Sequence, residues 1–131
     1  IIILKPHPHE NISEYQQILK ESHSKNAFII QDNLHELLSI SDVVVSNYST
    51  VILDALSMKK PTLQLEWNDI DENFYQYTPL VKSVKIENLK DKIYFTLENY
   101  NYDDKLWLQT MNDFFNIPFD ESYLKKIIND I

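Results

Sequence analysis

Not one glycine occurs among the 131 residues of this chain. A dinucleotide-binding fingerprint or a phosphate-binding P-loop needs glycines, both for tight turns and for close approach of backbone to phosphate. Both are excluded. Any phosphate held here must be held by side chains and by amides at helix starts. Cysteine is absent as well, which removes disulfides, thiolate metal sites and cysteine nucleophiles and agrees with a cytoplasmic setting.

Within that limit, the pattern of apolar residues sets the fold class. Short β-branched runs alternate with longer amphipathic segments. Ile1–Lys5, Ala27–Gln31, Asp42–Ser46, Pro61–Leu65 and Ser83–Ile86 read as strands. Asn11–His23, Asn33–Ile40 and Ser49–Met58 read as the helices between them. The first of these carries Ile12, Tyr15, Ile18 and Leu19 on one face, and the second takes Asp32 or Asn33 as its cap. Val43, Val44 and Val45 make the third strand apolar on both faces. After the fifth strand the pattern turns helical over Asn88–Tyr100, Asp104–Phe115 and Glu121–Ile131. The expectation is one α/β domain: a Rossmann-like parallel sheet of about five strands, helices on both faces and a helical C-terminal tail. Right-handed crossovers should join its strands.

Composition narrows the partners. Hydrophobic residues make up 44% of the chain, so it buries a core. No stretch approaches the roughly 20 apolar residues of a membrane span. All 12 basic residues are lysine, against 20 acidic ones, for a net charge of −8. Nucleic acid is bound through clustered Lys and Arg, so no nucleic-acid partner is expected. The chain opens inside an apolar strand, which suggests a piece of something longer.

Open parallel sheets bind ligands at the carboxyl ends of their strands. Two polar loops fall there. In Lys5-Pro6-His7-Pro8-His9-Glu10 two prolines stiffen the backbone around His7. That imidazole suits a phosphate contact or a proton transfer, although a local hydrogen bond explains it equally well. His9 reads as structural or peripheral. The His-x-His pair resembles half a metal site, but His23 and His35 lie on helices elsewhere, so no metal or cofactor is expected. The second loop is Ser46-Asn47-Tyr48-Ser49-Thr50. Ser49 or Thr50 caps the next helix, and free amides and hydroxyls there offer an anion site in which Ser46 and Asn47 share. Asp54 follows one turn deeper and is suited to accept hydrogen bonds from ribose hydroxyls. Taken singly, each of these residues is explained by capping and helix electrostatics. Together with His7, they favour a binding site.

The aromatic residues read differently. Trp67, Phe74, Tyr75 and Tyr77, and likewise Trp107, Phe114 and Phe115, read as packing rather than as a ligand channel.

At these residues a family resemblance enters. ILKPHPHE, followed by SDVVVSNYSTVILDALSMKKPTLQL, resembles the C-terminal lobe of GT-B-type transferases. The CDP-glycerol glycerophosphotransferases and the capsular polysaccharide glycosyltransferases are nearest in pattern. Bacterial sialyltransferases and UDP-N-acetylglucosamine 2-epimerase are similar in the same places. The resemblance runs from Ile2 to about Leu65 and resumes weakly over Pro118–Ile131. It implies that His7 is catalytic and contacts the donor phosphates, that Ser49 and Thr50 hold phosphate, and that Asp54, ahead of Ala55-Leu56, binds ribose. The base is implied, loosely, to lie near Gln31–Leu34. The implied donor is CDP-, CMP- or UDP-linked, and the acceptor is a glycan or polyol-phosphate polymer bound by an N-terminal lobe absent from this chain. Residues 1–131 then form the donor-binding lobe, inactive alone, from a cytoplasmic enzyme reaching the inner membrane face only in full-length form.

Two departures stand out. Relatives commonly carry glycine where this chain has Lys59-Lys60-Pro61, and again near Glu121-Ser122. The alternatives are an epimerase-like isomerase lobe, disfavoured by the missing glycine-rich turns, and a non-catalytic α/β interaction module.

Overall fold

The computed structural model describes residues 1–47, 49–66 and 78–115, the side chain of Phe115 excepted. The aromatic segment 67–77 and the final helix expected over Glu121–Ile131 lie outside the described residues. The chain divides into two compact units, Ile1–Leu37 and Leu38–Ile131.

The first unit holds strand β1 (Ile2–Leu4), helix α1 (Ile12–Ser22), strand β2 (Ala27–Ile29) and the start of helix α2 (Leu34–Ile40). β1 and β2 pair in parallel, with Ile3 opposite Phe28. Helix α1 starts where Asn11 Oδ1 accepts the Ser13 amide at 3.1 Å. It stops at His23, whose left-handed backbone (φ 52°) ends the hydrogen-bond ladder. The His23 ring Nδ1 donates to the Lys20 carbonyl at 2.8 Å, so this imidazole belongs to the helix end. Asn33, not Asp32, caps α2, taking the His35 amide on Oδ1 at 2.9 Å. One expectation is corrected: Ile18 is 59% exposed, while Ile12, Tyr15 and Leu19 are partly covered. At about 100° per residue Ile12, Tyr15 and Leu19 fall within about 60° of one another, and Ile18 lies about 60° further round the helix.

The second unit holds β3 (Val44–Ser46), α3 (Val51–Ser57), β4 (Thr62–Glu66), β5 (Val81–Lys85), α4 (Leu89–Asn99) and α5 (Asp104–Phe115). The fold is α/β with parallel strands, in sheets of two (β1–β2) and three (β3–β4–β5) among the described residues. Sequence periodicity identifies strands without naming their ladder partners, so a single five-stranded sheet was the simplest reading of the same runs. In the three-stranded sheet β4 is central, with Thr62 and Gln64 on one face and Leu63, 1% exposed, on the other. All three are buried, as befits a parallel strand covered on both sides. β3 lies at the edge of its ladder, and Val45 is 39% exposed there instead of buried.

The core of this unit joins α3, β5 and α5 through Ile52, Leu56, Val81 and Met111, with Trp107 and Phe114 packed against them. Both aromatics therefore pack, as the helical spacing implied. Asp103 starts α5 by accepting the Leu106 amide on Oδ1 at 3.0 Å. Thr78 and Thr110 pair their buried hydroxyls at 3.0 Å. No helix among the described residues is long and apolar enough to cross a membrane.

The end of α3 shows how a chain without glycine closes a helix. Lys59 takes the left-handed conformation, φ 58°. Its amide reaches the Leu56 carbonyl at 2.9 Å, and the Lys60 amide reaches the Ala55 carbonyl at 2.9 Å. This pair of bonds is the Schellman closure, with Lys59 in the place glycine usually occupies. An L-residue there costs about 1–2 kcal/mol. The lysine side chain offsets part of that. Its Nζ sits 2.9 Å from Asp104 Oδ1 and 4.7 Å from the ring centres of Tyr102 and Trp107. Trp107 in turn donates its indole N–H to the Leu56 carbonyl at 2.7 Å. Lys59→Ala keeps the strain and loses these contacts, so denaturant unfolding should show a loss of about 1–2 kcal/mol. Lys59→Gly loses the contacts but relieves the strain, and should fall within about 1 kcal/mol of the parent.

Candidate functional site

Both polar loops leave the carboxyl end of a parallel strand, one in each unit. After β1, Pro6 is buried and the residues His7–Glu10 are exposed. The His7 amide donates to Glu10 Oε2 at 2.6 Å, and the Glu10 amide donates back to the His7 carbonyl at 2.9 Å. This two-way clamp closes the turn independently of the prolines. The His9 amide points at His7 Nδ1 from 3.3 Å, and the two rings lie 5.2 Å apart. With Nδ1 accepting, a neutral His7 carries its proton on Nε2. The imidazole is thereby set to donate outward.

Glu10 is the residue that sequence reasoning passed over. Its carboxyl is held below the ordinary range, first by the His7 amide and then by the Tyr15 hydroxyl. The same hydrogen bond pushes the Tyr15 phenol up. The signal was present in the sequence: an acid three residues after His7, on the far side of a proline, can reach back to the amide of its own turn. His9, read as structural or peripheral, is structural here: its amide supports the His7 ring.

The second loop follows β3. Ser49 is the effective cap of α3: its Oγ accepts the Val51 amide at 3.2 Å and its carbonyl accepts the Ile52 amide at 3.2 Å. Thr50 is already helical (φ −61°, ψ −18°) and makes no side-chain cap bond. Its carbonyl takes the Leu53 amide at 2.9 Å and the Asp54 amide at 3.3 Å. The helix thus begins at Val51, and the amides of Val51, Ile52 and Leu53 are all engaged within the chain. The expectation of free amides at this helix start is corrected: Ser49 has turned inward to cap them. What the loop offers a ligand is side chains, including the Ser46 hydroxyl, the exposed Asn47 carboxamide and the exposed Thr50 hydroxyl. Asp54 stands one turn on and half-buried.

The fold therefore gathers Ser46, Asn47, Ser49, Thr50 and Asp54 within one strand–loop–helix of the second unit, whereas His7 belongs to the first. Tyr48 lies outside the described residues. Among the described residues no group of three or more His, Asp or Glu is close enough to hold a metal ion. A groove of about 560 Å³ lies between the end of β5 and α4, lined by Glu66, Ser83, Lys85, Asp91, Lys92 and Phe95. None of the sequence-derived site residues lines it, and its charges are of both signs, so phosphate has no preferred place there.

The family model described as CDP-Glycerol:Poly(glycerophosphate) glycerophosphotransferase matches residues 1–82, a stretch that contains both loops. No curated protein and no solved structure matches the chain.

Proposed function

Since the chain belongs to the CDP-glycerol:poly(glycerophosphate) glycerophosphotransferase family, we propose that residues 1–131 are the donor-binding lobe of an enzyme that transfers glycerol phosphate from CDP-glycerol to a polyol-phosphate polymer. The observation that carries this reading is that the family match spans both strand-end loops. In the transfer an acceptor hydroxyl attacks the phosphorus bonded to glycerol. One P–O bond forms, the bond to the bridging oxygen breaks, and CMP leaves with the electron pair. The acceptor's proton goes to a base or to solvent.

In this scheme His7 donates its Nε2–H to the donor diphosphate and steadies the charge that grows on the leaving CMP. Thr50 and Ser49 give hydroxyl contacts to donor phosphate, with Asn47 and Ser46 beside them. Asp54 takes the ribose hydroxyls, because a carboxylate accepts hydrogen bonds from hydroxyls and repels phosphate. All of the chain's basic residues are lysine, so a further cation at the diphosphate would be a lysine such as Lys5 or would come from beyond these residues.

The test is transfer by the full-length protein from CDP-glycerol to a glycerol-phosphate oligomer, with CMP release and product length as readouts. Ser49→Ala/Thr50→Ala should lower kcat/KM by about 10-fold to 100-fold, the effect of losing one or two charged hydrogen bonds. Transfer at the parent rate by this variant would remove the second loop from the mechanism. A free isomer formed from donor alone, with no acceptor present, would instead establish the isomerase reading.

A further inference from the structure

Gln64 sits at the middle of β4, the central strand of the three-stranded sheet, and is only 5% exposed. Its Oε1 is shut off from solvent and has no hydrogen-bond partner among the described residues. A buried carbonyl left unpaired is costly, and native folds retain few of them. The ladder register places Ser46 beside Gln64 on one side and Ser83 on the other. Register neighbours in a parallel sheet project to the same face, with Cβ atoms about 5 Å apart. That face also carries Val81, which packs with Ile52 and Leu56 of α3. Gln64 thus lies on the α3 side of the sheet, beside the last residue of β3, where the Ser46–Thr50 loop departs.

Resting on the donor-binding reading, we propose that Ser46 and Gln64 form a relay that recognises a hydroxyl group of the donor. Gln64 is a positioning residue in it. A serine hydroxyl has one proton and two acceptor lone pairs. Rotation about χ1 and about the Cβ–Oγ bond of Ser46 turns that proton to Gln64 Oε1 and supplies the missing partner. The Ser46 oxygen then presents only lone pairs to the ligand. It accepts a hydrogen bond and repels phosphate oxygens, so Ser46 takes a ribose or glycerol hydroxyl in place of the phosphate contact its loop suggests. Donor binding completes a hydrogen bond that the free chain lacks.

The experiment uses the full-length protein, with Gln64→Met and Gln64→Leu as alternative apolar replacements and Ser46→Ala as the other end of the relay. Three donors are compared: CDP-glycerol, its 2′-deoxyribose form, and a CDP-alkanol lacking the glycerol hydroxyls. Replacing Gln64 should leave the ligand-free melting midpoint equal or higher, because a buried unpaired acceptor is gone. The KM for CDP-glycerol should rise roughly fivefold to tenfold, the worth of one hydrogen bond, with kcat little changed. Ser46→Ala should match it, and the double variant should be no worse than either alone. One deoxy donor should bind the parent and the Gln64 variants alike, which identifies the hydroxyl as ribose or glycerol. A Gln64 variant with parent KM, or one whose KM and melting midpoint worsen together in both replacements, makes Gln64 a packing residue and overturns the relay. If Ser49→Ala/Thr50→Ala is impaired while the Gln64 variants are not, the relay fails and the donor site stands. No transfer by the parent from CDP-glycerol removes both.

Discussion

Replacing His7 by alanine in the full-length protein should lower kcat/KM for glycerophosphate transfer by about 10²–10³-fold, the usual loss when a donor facing developing charge is removed. The size follows from what the loop invests in this ring. The His7–Glu10 clamp fixes the backbone from both ends, and the His9 amide occupies Nδ1. A ring held this way delivers Nε2–H to one place without reorganising during the reaction. His7→Gln carries an amide nitrogen near the Nε2 position and should recover part of the activity, which a purely structural histidine would not show. Glu10→Ala should raise the donor KM more than it lowers kcat, since it loosens the loop and leaves the imidazole in place. The sign of the pH effect follows from the lowered Glu10 carboxyl. A folded-state pKa below the unfolded one favours folding above the unfolded value, and the benefit disappears as pH falls through the folded value. The clamp is therefore intact at neutral pH, and donor affinity should weaken only in acid. Transfer by His7→Ala within a few-fold of the parent would take this loop out of the chemistry.

The strands and helices were legible in the sequence because their cores are. Ile52, Leu56 and Leu63 fall where apolar periodicity puts them, whereas Val81 opens β5 two residues ahead of the strand expected over Ser83–Ile86. Both loops were legible too, since proline, histidine and hydroxyl residues punctuate strand ends. Three things were not, each for a physical reason. The separation into two ladders depends on which strand edges meet, and no local pattern encodes that. The left-handed turn at Lys59 was hidden because lysine is a poor marker for it; the missing glycine was visible, but its replacement by contacts to Tyr102, Trp107 and Asp104 spans some forty residues of chain. The engaged amides at the start of α3 turned on whether Ser49 or Thr50 caps, a shift of one residue that decides whether the helix start or its side chains face a ligand.

The largest loss of stability should come from Ile52→Ala. Ile52 is 0% exposed on the first turn of α3 and packs in one cluster with Leu56, Val81 and Met111. Truncating a fully buried isoleucine costs about 2–5 kcal/mol, the spread reflecting how far neighbours collapse into the space. Collapse is restricted here. The Schellman closure and the Trp107 bond to the Leu56 carbonyl hold the far end of the helix, and β4 and β5 are laddered over five residue pairs. The upper part of that range is therefore expected, against a total of about 5–15 kcal/mol for a typical domain. Ile18→Ala is the control: at 59% exposed on α1, it should change stability by no more than about 0.5 kcal/mol. Denaturant unfolding of both variants in the full-length protein gives the comparison. Because Ile52 lies two residues beyond Thr50, its loss should also raise the donor KM at temperatures where the protein remains folded, by loosening the turn that carries Ser49 and Thr50. Equal, small effects from the two isoleucines would mean that α3 is not the element on which the second loop is mounted.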